Sequence, residues 1–230
     1  MATISKATVI NIRNYGSDVR EYTLKAEKIQ DFDPGTFLQL SLEKPPANRW
    51  PDSRNFSLAS AYNGDNTIRI VIRRIGNYTS RIFEELNIGA SCYIKYSFGD
   101  FLLPFYDQKN PIICIAGGTG VAPFFSFAEH LFNIGQQDRM HLFYSAKNSV
   151  ELINPEELKR LVNKQQLHIH LTRENSGDYL NHHISIEEIS EQLTDLEKAH
   201  FYICGNESFT NDFKNGLAKT GAVNIYTDEW

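Results

Sequence analysis

The sequence predicts two domains: an N-terminal antiparallel β-barrel of Greek-key type over residues 1–104, and a C-terminal doubly wound α/β domain with a five-stranded parallel sheet over 105–230. Three observations carry this expectation. Short runs of β-branched and aromatic residues, punctuated by Gly, Pro, Asn and Asp, fill the first part. Apolar strands alternating with helical periods fill the second, as in parallel sheets with helical crossovers. The texture changes beside Pro104 and Pro111, and 230 residues suffice for two domains of ~100–150 residues.

In the first part, Thr8–Ile12, Phe37–Leu42 and Thr67–Ile72 read as strands. One short helix interrupts them, with Thr79 or Ser80 as N-cap, Ile82, Phe83 and Leu86 on its inner face and Gly89 as its stop. In the second part, strands are expected near Ile112–Ile115, His141–Tyr144, Leu167–Leu171, Phe201–Cys204 and Val223–Tyr226. Helices are expected around Phe124–Phe132, Pro155–Val162, Ile186–Leu193 and Phe209–Ala218, the second opened by Asn154 as cap and Pro155 in the first turn.

Composition narrows the function classes. A hydrophobic content of 41% with 22% charged residues is ordinary for a globular chain, and a net charge of −5 argues against a nucleic-acid surface and for small molecules. The N-terminus lacks the apolar core of a secretion signal, and no stretch approaches the ~20 apolar residues that cross a bilayer. A cytoplasmic location without membrane insertion is therefore expected. Cys92, Cys114 and Cys204 are too few and too scattered for a disulfide framework, a zinc site or an iron–sulfur cluster. Any redox centre is expected to be organic. His168-x-His170 and the His182-His183 pair lack a companion carboxylate or cysteine set, so no metal is expected. Glu151, Glu156, Glu157, Glu187 and Glu188 fall at helix starts and read as solvated faces that complement the helix dipole.

Two motifs carry the chemistry. The apolar strand Ile112–Ala116 runs into Gly117-Gly118-Thr119-Gly120-Val121-Ala122-Pro123, so backbone N–H groups at a helix start are open to an anion such as a dinucleotide pyrophosphate. A tight strand-to-helix turn without a ligand is the other reading of those glycines. Cys204-Gly205 ends another strand of the same sheet, and in a doubly wound sheet such ends face one crevice. Arg54-Asn55-Phe56-Ser57 places a guanidinium and an aromatic ring on one strand face, suited to phosphate and a flat heterocycle. The alternative is an exposed Arg beside a core Phe. Arg73-Arg74 and the Thr79-Ser80 pair add anion contacts or are solvated surface.

In this order, Arg-x-Phe-Ser, Gly76-x-x-Thr79, Gly-Gly-Thr-Gly-x-Ala-Pro and Cys-Gly-Asn resemble the ferredoxin–NADP reductase family across nearly the whole chain. The resemblance implies that Arg54 binds flavin phosphates, that Phe56 packs along the isoalloxazine where the family usually has tyrosine, and that Ser57 lies near its N5, with Asn55 between them. It assigns Arg73, Arg74, Gly76, Thr79 and Ser80 to a second phosphate-binding stretch, which favours FAD over FMN. Gly117, Gly118, Thr119, Gly120 and Pro123 match the dinucleotide loop, and Cys204 with Gly205 borders the nicotinamide. Asp228 stands two before the terminal aromatic and is implied to lie near hydride transfer. Trp230 covers a face of the isoalloxazine or folds against the adenine. Lys147, Thr172 and Arg173 follow strands where an adenosine ribose is expected, with Tyr179 as adenine partner, and this set favours NADPH over NADH.

The implied activity is an FAD-dependent NAD(P)H oxidoreductase. Hydride would pass from the nicotinamide to flavin N5 beside Ser57, Cys204 and Asp228, and electrons then to a separate acceptor. A ferredoxin, flavodoxin, haem protein or small molecule suits that role, because no iron–sulfur module is fused to the chain. Two other readings stay open: reduction of free flavin as a substrate, and a non-catalytic nucleotide-binding module.

Overall fold

The computed structural model describes residues 2–193 and 195–229. Among these, six antiparallel strands form the first sheet: β1 (Thr3–Tyr15), β2 (Val19–Ala26), β3 (Phe37–Ser41), β4 (Arg54–Ser57), β5 (Thr67–Arg73) and β6 (Ser91–Phe98). Their order is β4-β3-β6-β1-β2-β5. The two edges meet where Leu58 bridges Ile70 and the Ala59 N–H donates to the Arg69 carbonyl, so the sheet closes into a barrel. Alternation along the strands sends Val9, Tyr22, Leu24, Leu38, Leu40, Ile68, Ile70 and Ile94 inward to a core in which each is at most 1% exposed.

Helix α1 (Asn77–Glu85) caps this core with Tyr78, Ile82 and Phe83, and Leu86 follows them inward. It starts earlier than the sequence suggests. Gly76 is the N-cap, and Thr79 sits in the first turn with its Oγ1 accepting from the N–H groups of Ile75 and Gly76 at 2.9 and 3.1 Å. Thr79 thus reaches back from the third helical position, as the partner residue of a capping box does.

The second sheet is parallel, with order β11-β10-β7-β8-β9. Its strands are β7 (Ile112–Gly117), β8 (Met140–Ala146), β9 (Leu167–Leu171), β10 (His200–Gly205) and β11 (Asn224–Glu229). The crossovers carry α2 (Ala122–Asn133), α3 (Pro155–Leu161), α4 (Ile186–Glu191) and α5 (Glu207–Lys219). Ile113 and Ile115 of β7 face a core shared with Ile189 of α4 and Leu217 of α5. Cys114 and Ala116 face the opposite side, where α2 and α3 pack. Strand order reverses at β7, so the ends of β7 and β10 flank the switch-point crevice. Asn154 departs from its expected capping role. It adopts the left-handed conformation at φ 42°, and its side-chain amide donates to Glu157 instead of accepting from the backbone.

The barrel and the parallel sheet share a seam. Val19, Ala59 and Val71 of the barrel pack into the same core as Phe124, Phe125 and Phe127 of α2. The Gly35 N–H donates to Ser126 Oγ at 2.9 Å, and a Cβ at Gly35 would meet the Phe101 carbonyl at 2.0 Å. Beside the seam, Arg69 of β5 meets three carboxylates: Glu129 at 2.5 Å, Glu157 at 2.6 Å and Glu21 at 3.4 Å. Glu21 belongs to the barrel, Glu129 and Glu157 to α2 and α3. The Glu21 side chain is 1% exposed, and burial raises its pKa and that of Glu129 despite the attraction of Arg69. The expectation of solvated acidic faces therefore fails at Glu157. The barrel covers that helix start and supplies the cation.

Candidate functional site: two clefts at the domain seam

Two clefts open along the seam. The narrower, about 300 Å³, is lined by Arg54, Asn55, Phe56 and Ser57 of β4, by Val71, Arg73, Ile75 and Thr79, and by Thr119, Ala122 and Cys204 from the other sheet. β4 ends the strand order of the barrel sheet, and all four of its residues border this cleft. Phe56 rests on the barrel core. Arg54 is held by stacking over the Tyr78 ring at 4.5 Å and by an Asp52 carboxylate at 2.8 Å. Tyr78 is held in turn, donating from its hydroxyl to the carbonyls of Leu40 and Asp52 at 3.1 Å each.

Three of the residues expected around the reacting atoms come together. The Ser57 hydroxyl donates to Asp228 Oδ2 at 3.5 Å, across the seam. Asp228 is the register partner of Cys204 on the adjacent strand, and Cys204 is 1% exposed at the end of β10. Trp230 lies outside the described residues.

The glycine run behaves as its residues dictate. β7 ends at Gly117, a 3-10 turn spans Gly118–Val121, and α2 follows with Pro123 in its first turn. Gly118 has φ +56°, a conformation that side chains resist. A Cβ on Gly120 would lie 2.2 Å from the Cys204 carbonyl oxygen, so only glycine lets the two strand ends approach this closely.

The wider cleft, about 710 Å³, starts at Gly117 and Gly118 and runs past Lys147, Thr172 and Arg173. Ser145, Glu151, Ser185, Asn206 and Phe209 complete much of its wall. Sequence reasoning passed over Phe209. Its ring packs 3.3 Å from where a Gly117 Cβ would sit and 2.6 Å from one at Gly205. Two glycines facing one helix start were the available signal.

Arg73 belongs to both clefts. Its Nη2 is 3.7 Å from Glu151 and its Nε is 3.8 Å from Asp18, yet the Nε is buried without a hydrogen-bond partner. A half-buried guanidinium whose buried Nε is an unspent donor, beside glycine backbone at the Gly118 turn, suits a phosphate-bearing ligand. Glu151, expected to be solvated, is instead drawn to Arg73.

Other expected residues lie elsewhere. Arg74 is exposed and stacks on Phe83 at 5.4 Å, away from both clefts. Gly76 and Ser80 take part in the opening turn of α1, where the Ser80 N–H donates to the Gly76 carbonyl. Tyr179 lies beneath Lys159, 5.5 Å from its ammonium, in a separate hollow with His168 and Leu180. The cause is Leu180, whose backbone bonds to Ile169 and Leu171 pin that segment along the outer edge of β9.

Residues 114–215 match the oxidoreductase NAD-binding domain family. The chain is 24% identical over 227 residues to the ferredoxin–NAD(P)+ reductase component of the naphthalene 1,2-dioxygenase/salicylate 5-hydroxylase systems of a Ralstonia species, covering 96% of this chain and 67% of that one. It spans 58% and 50% of two further curated relatives, so these proteins are longer than the chain described. The fold superposes with TM-score 0.84 on the flavohaem-like FAD/NAD-binding domain of nitric oxide dioxygenase from Vibrio cholerae, at 19% identity and 98% coverage of both chains. It superposes with TM-score 0.82 on a ferredoxin NADP+ reductase from Neisseria gonorrhoeae with bound FAD and NADP, at 19% identity, covering 100% of this chain and 99% of that one. No helix among the described residues is long and apolar enough to cross a membrane.

Proposed function

We propose that the chain is an NAD(P)H-dependent flavoprotein reductase of the ferredoxin–NADP(H) reductase type, with flavin in the narrow cleft and the nicotinamide coenzyme in the wide one, a reading supported by the NAD-binding family match, the reductase-component relatives and the shared fold. The observation that carries this reading is the meeting of Ser57, Cys204 and Asp228 across the seam where the two clefts approach each other. When bound, the coenzyme would supply hydride and the flavin an acceptor able to pass electrons on one or two at a time.

The residues contribute position and exclusion. Arg54 and Arg73 hold phosphate charge, and the first-turn amides of α1 add donors that the helix itself leaves open. Phe56, Val71, Ile75 and Ala122 give the narrow cleft an apolar wall that keeps water from the reacting face. Asp228 accepts the hydrogen bond from the Ser57 hydroxyl and so fixes where that hydroxyl points. The Gly118–Val121 turn brings the two sheets' contributions into register, and that alignment is the protein's share of the rate. Lys147 and Arg173 favour the additional phosphate of NADPH. Electrons then pass to a separate acceptor, a ferredoxin, flavodoxin, haem protein or oxygenase component. The name of the Ralstonia relative supports that role.

An anaerobic titration tests the reading. The purified chain should retain flavin through gel filtration, and its flavin absorbance should bleach on addition of NADPH, with NADH less effective. Flavin that stays oxidised with both coenzymes would sink the proposal, and flavin lost on the column would favour use of free flavin as a substrate.

A further inference from the structure

Behind the wide cleft, on the α4 side of the parallel sheet, His170, His182 and Glu188 converge. Each offers one ligand atom within 4.8 Å of the other two. His170 lies on β9 with its side chain 0% exposed, Glu188 lies on α4, and His182 is exposed on the segment between them. His168 does not join them, because it stacks on Phe143 at 4.5 Å.

The hydrogen bonds fix what the two imidazoles present. His170 Nδ1 lies 3.2 Å from the His182 carbonyl, and His182 Nδ1 lies 2.9 Å from the His183 carbonyl. A carbonyl oxygen only accepts, so both Nδ1 atoms must carry hydrogen, and in each neutral ring Nε2 is left with a lone pair. His170 Nε2 is buried with no hydrogen-bond partner and lies 3.5 Å from Glu188 Oε1. Glu188 Oε2 is likewise buried and without a partner. Lone pairs thus face lone pairs in a dry corner, which is costly unless a positive centre lies between them.

We propose that His170, His182 and Glu188 bind a divalent transition metal of the zinc class, which ties the segment between β9 and α4 to the sheet. Imidazole nitrogen with carboxylate oxygen is a ligand set that zinc accepts, and Nδ1–H donation to a backbone carbonyl is the usual outer support of a metal-bound histidine. The His170–Glu188 separation of 3.5 Å is close to the ~3.3 Å edge of a tetrahedron with bonds of ~2.0–2.1 Å. His182, the exposed member, has the freedom to close the remaining distance. The set overturns the expectation that these histidines lack a companion carboxylate, since Glu188 supplies it from 18 positions beyond His170 in the chain. His183, Ile184 and Ser185 of the tethered segment line the wide cleft, so metal binding should also firm that wall, a consequence that rests on the coenzyme reading above.

The test uses the full chain as purified, without a polyhistidine tag and with whatever flavin it retains, titrated with zinc chloride against a chromogenic chelator with no nicotinamide coenzyme added. The proposal expects one equivalent of zinc, affinity lowered about 100-fold or more in His182→Ala and in Glu188→Gln, and no change in Glu191→Gln. Zinc should also raise the thermal midpoint of the wild type and of Glu191→Gln, but not of the two ligand variants. Substoichiometric zinc in the wild type, or equal affinity in Glu188→Gln, would overturn it and leave a proton shared between His170 and Glu188. Because no nicotinamide coenzyme is added, failure here leaves the reductase reading standing.

Discussion

In the narrow cleft the working groups are held by backbone and burial, whereas the wide cleft beside it is lined largely by side chains near strand and helix ends. Ser57, Cys204 and Asp228 are set by strand register and by the contact of two strand ends that only glycine at position 120 permits. Lys147, Thr172 and Arg173 stand just past β8 and β9. The first arrangement suits positioning of reacting atoms, where a displacement of 1 Å is costly. The second suits selection between similar ligands, because its residues can change without disturbing the sheet.

The largest expected effect breaks the first arrangement. In Gly120→Ala the new methyl group would sit 2.2 Å from a backbone oxygen and 2.9 Å from the Gly205 nitrogen, neither of which is a flexible side-chain end. The expected loss exceeds about 4 kcal/mol of stability, in the exceptional tail of single substitutions. Chemical denaturation of this variant beside Gly177→Ala, where the added Cβ meets nothing within 4 Å and the backbone is not in the left-handed region, separates close approach from a general glycine effect. Equal costs for the two would remove backbone contact as the basis of the narrow cleft.

That contrast also marks what could be read in the sequence. The glycine run and the Arg54–Ser57 strand were legible because turn geometry and alternation are local, and β9 was expected at its observed bounds, Leu167–Leu171. Arg69 was not legible. Along β5 it is one polar residue in an alternating strand, and its partners Glu129 and Glu157 lie 60 and 88 residues away. The start of α1 was misplaced because Thr79 bonds backward to the amides of Ile75 and Gly76, a role that shares its residue type with an N-cap. Tyr179 was drawn from the adenosine end by backbone pairing of its neighbour Leu180 to β9, which no local pattern announces.

Arg69 offers the next sharpest test, since it fastens the junction on which the narrow cleft depends and touches neither cleft. Arg69→Met leaves Glu21, Glu129 and Glu157 without their shared cation and should cost about 3 kcal/mol near neutral pH. The pH dependence has a definite sign. Burial already raises the carboxyl pKa values of Glu21 and Glu129, and removing the cation raises them further. The folded variant then holds protons more tightly than the unfolded chain, whose carboxyls titrate near ~4.3. Its stability is greatest below that value and is lost as pH rises through the folded-state values. Urea midpoints at pH 8 and pH 5 should therefore show the deficit of Arg69→Met shrinking on acidification. A deficit independent of pH would mean the cluster acts by packing alone. Flavin reduction should slow in the variant while coenzyme binding in the wide cleft is retained.

The smallest expected effect belongs to the wide cleft. Arg173 follows β9 and lines that cleft with Lys147 and Thr172, and its backbone N–H is tied to the Lys147 carbonyl at 2.8 Å, so trimming its side chain leaves the fold intact. Arg173→Ala should raise the KM for NADPH about tenfold, equivalent to ~1.4 kcal/mol, and leave that for NADH nearly unchanged. The added phosphate of NADPH is the group a guanidinium grips with paired hydrogen bonds, and Lys147 remains to hold part of that charge. Steady-state assays with both coenzymes and an artificial acceptor measure the ratio directly. Equal losses for NADPH and NADH would place Arg173 on the part the two coenzymes share, and the selection assigned to the wide cleft would have to come from Lys147.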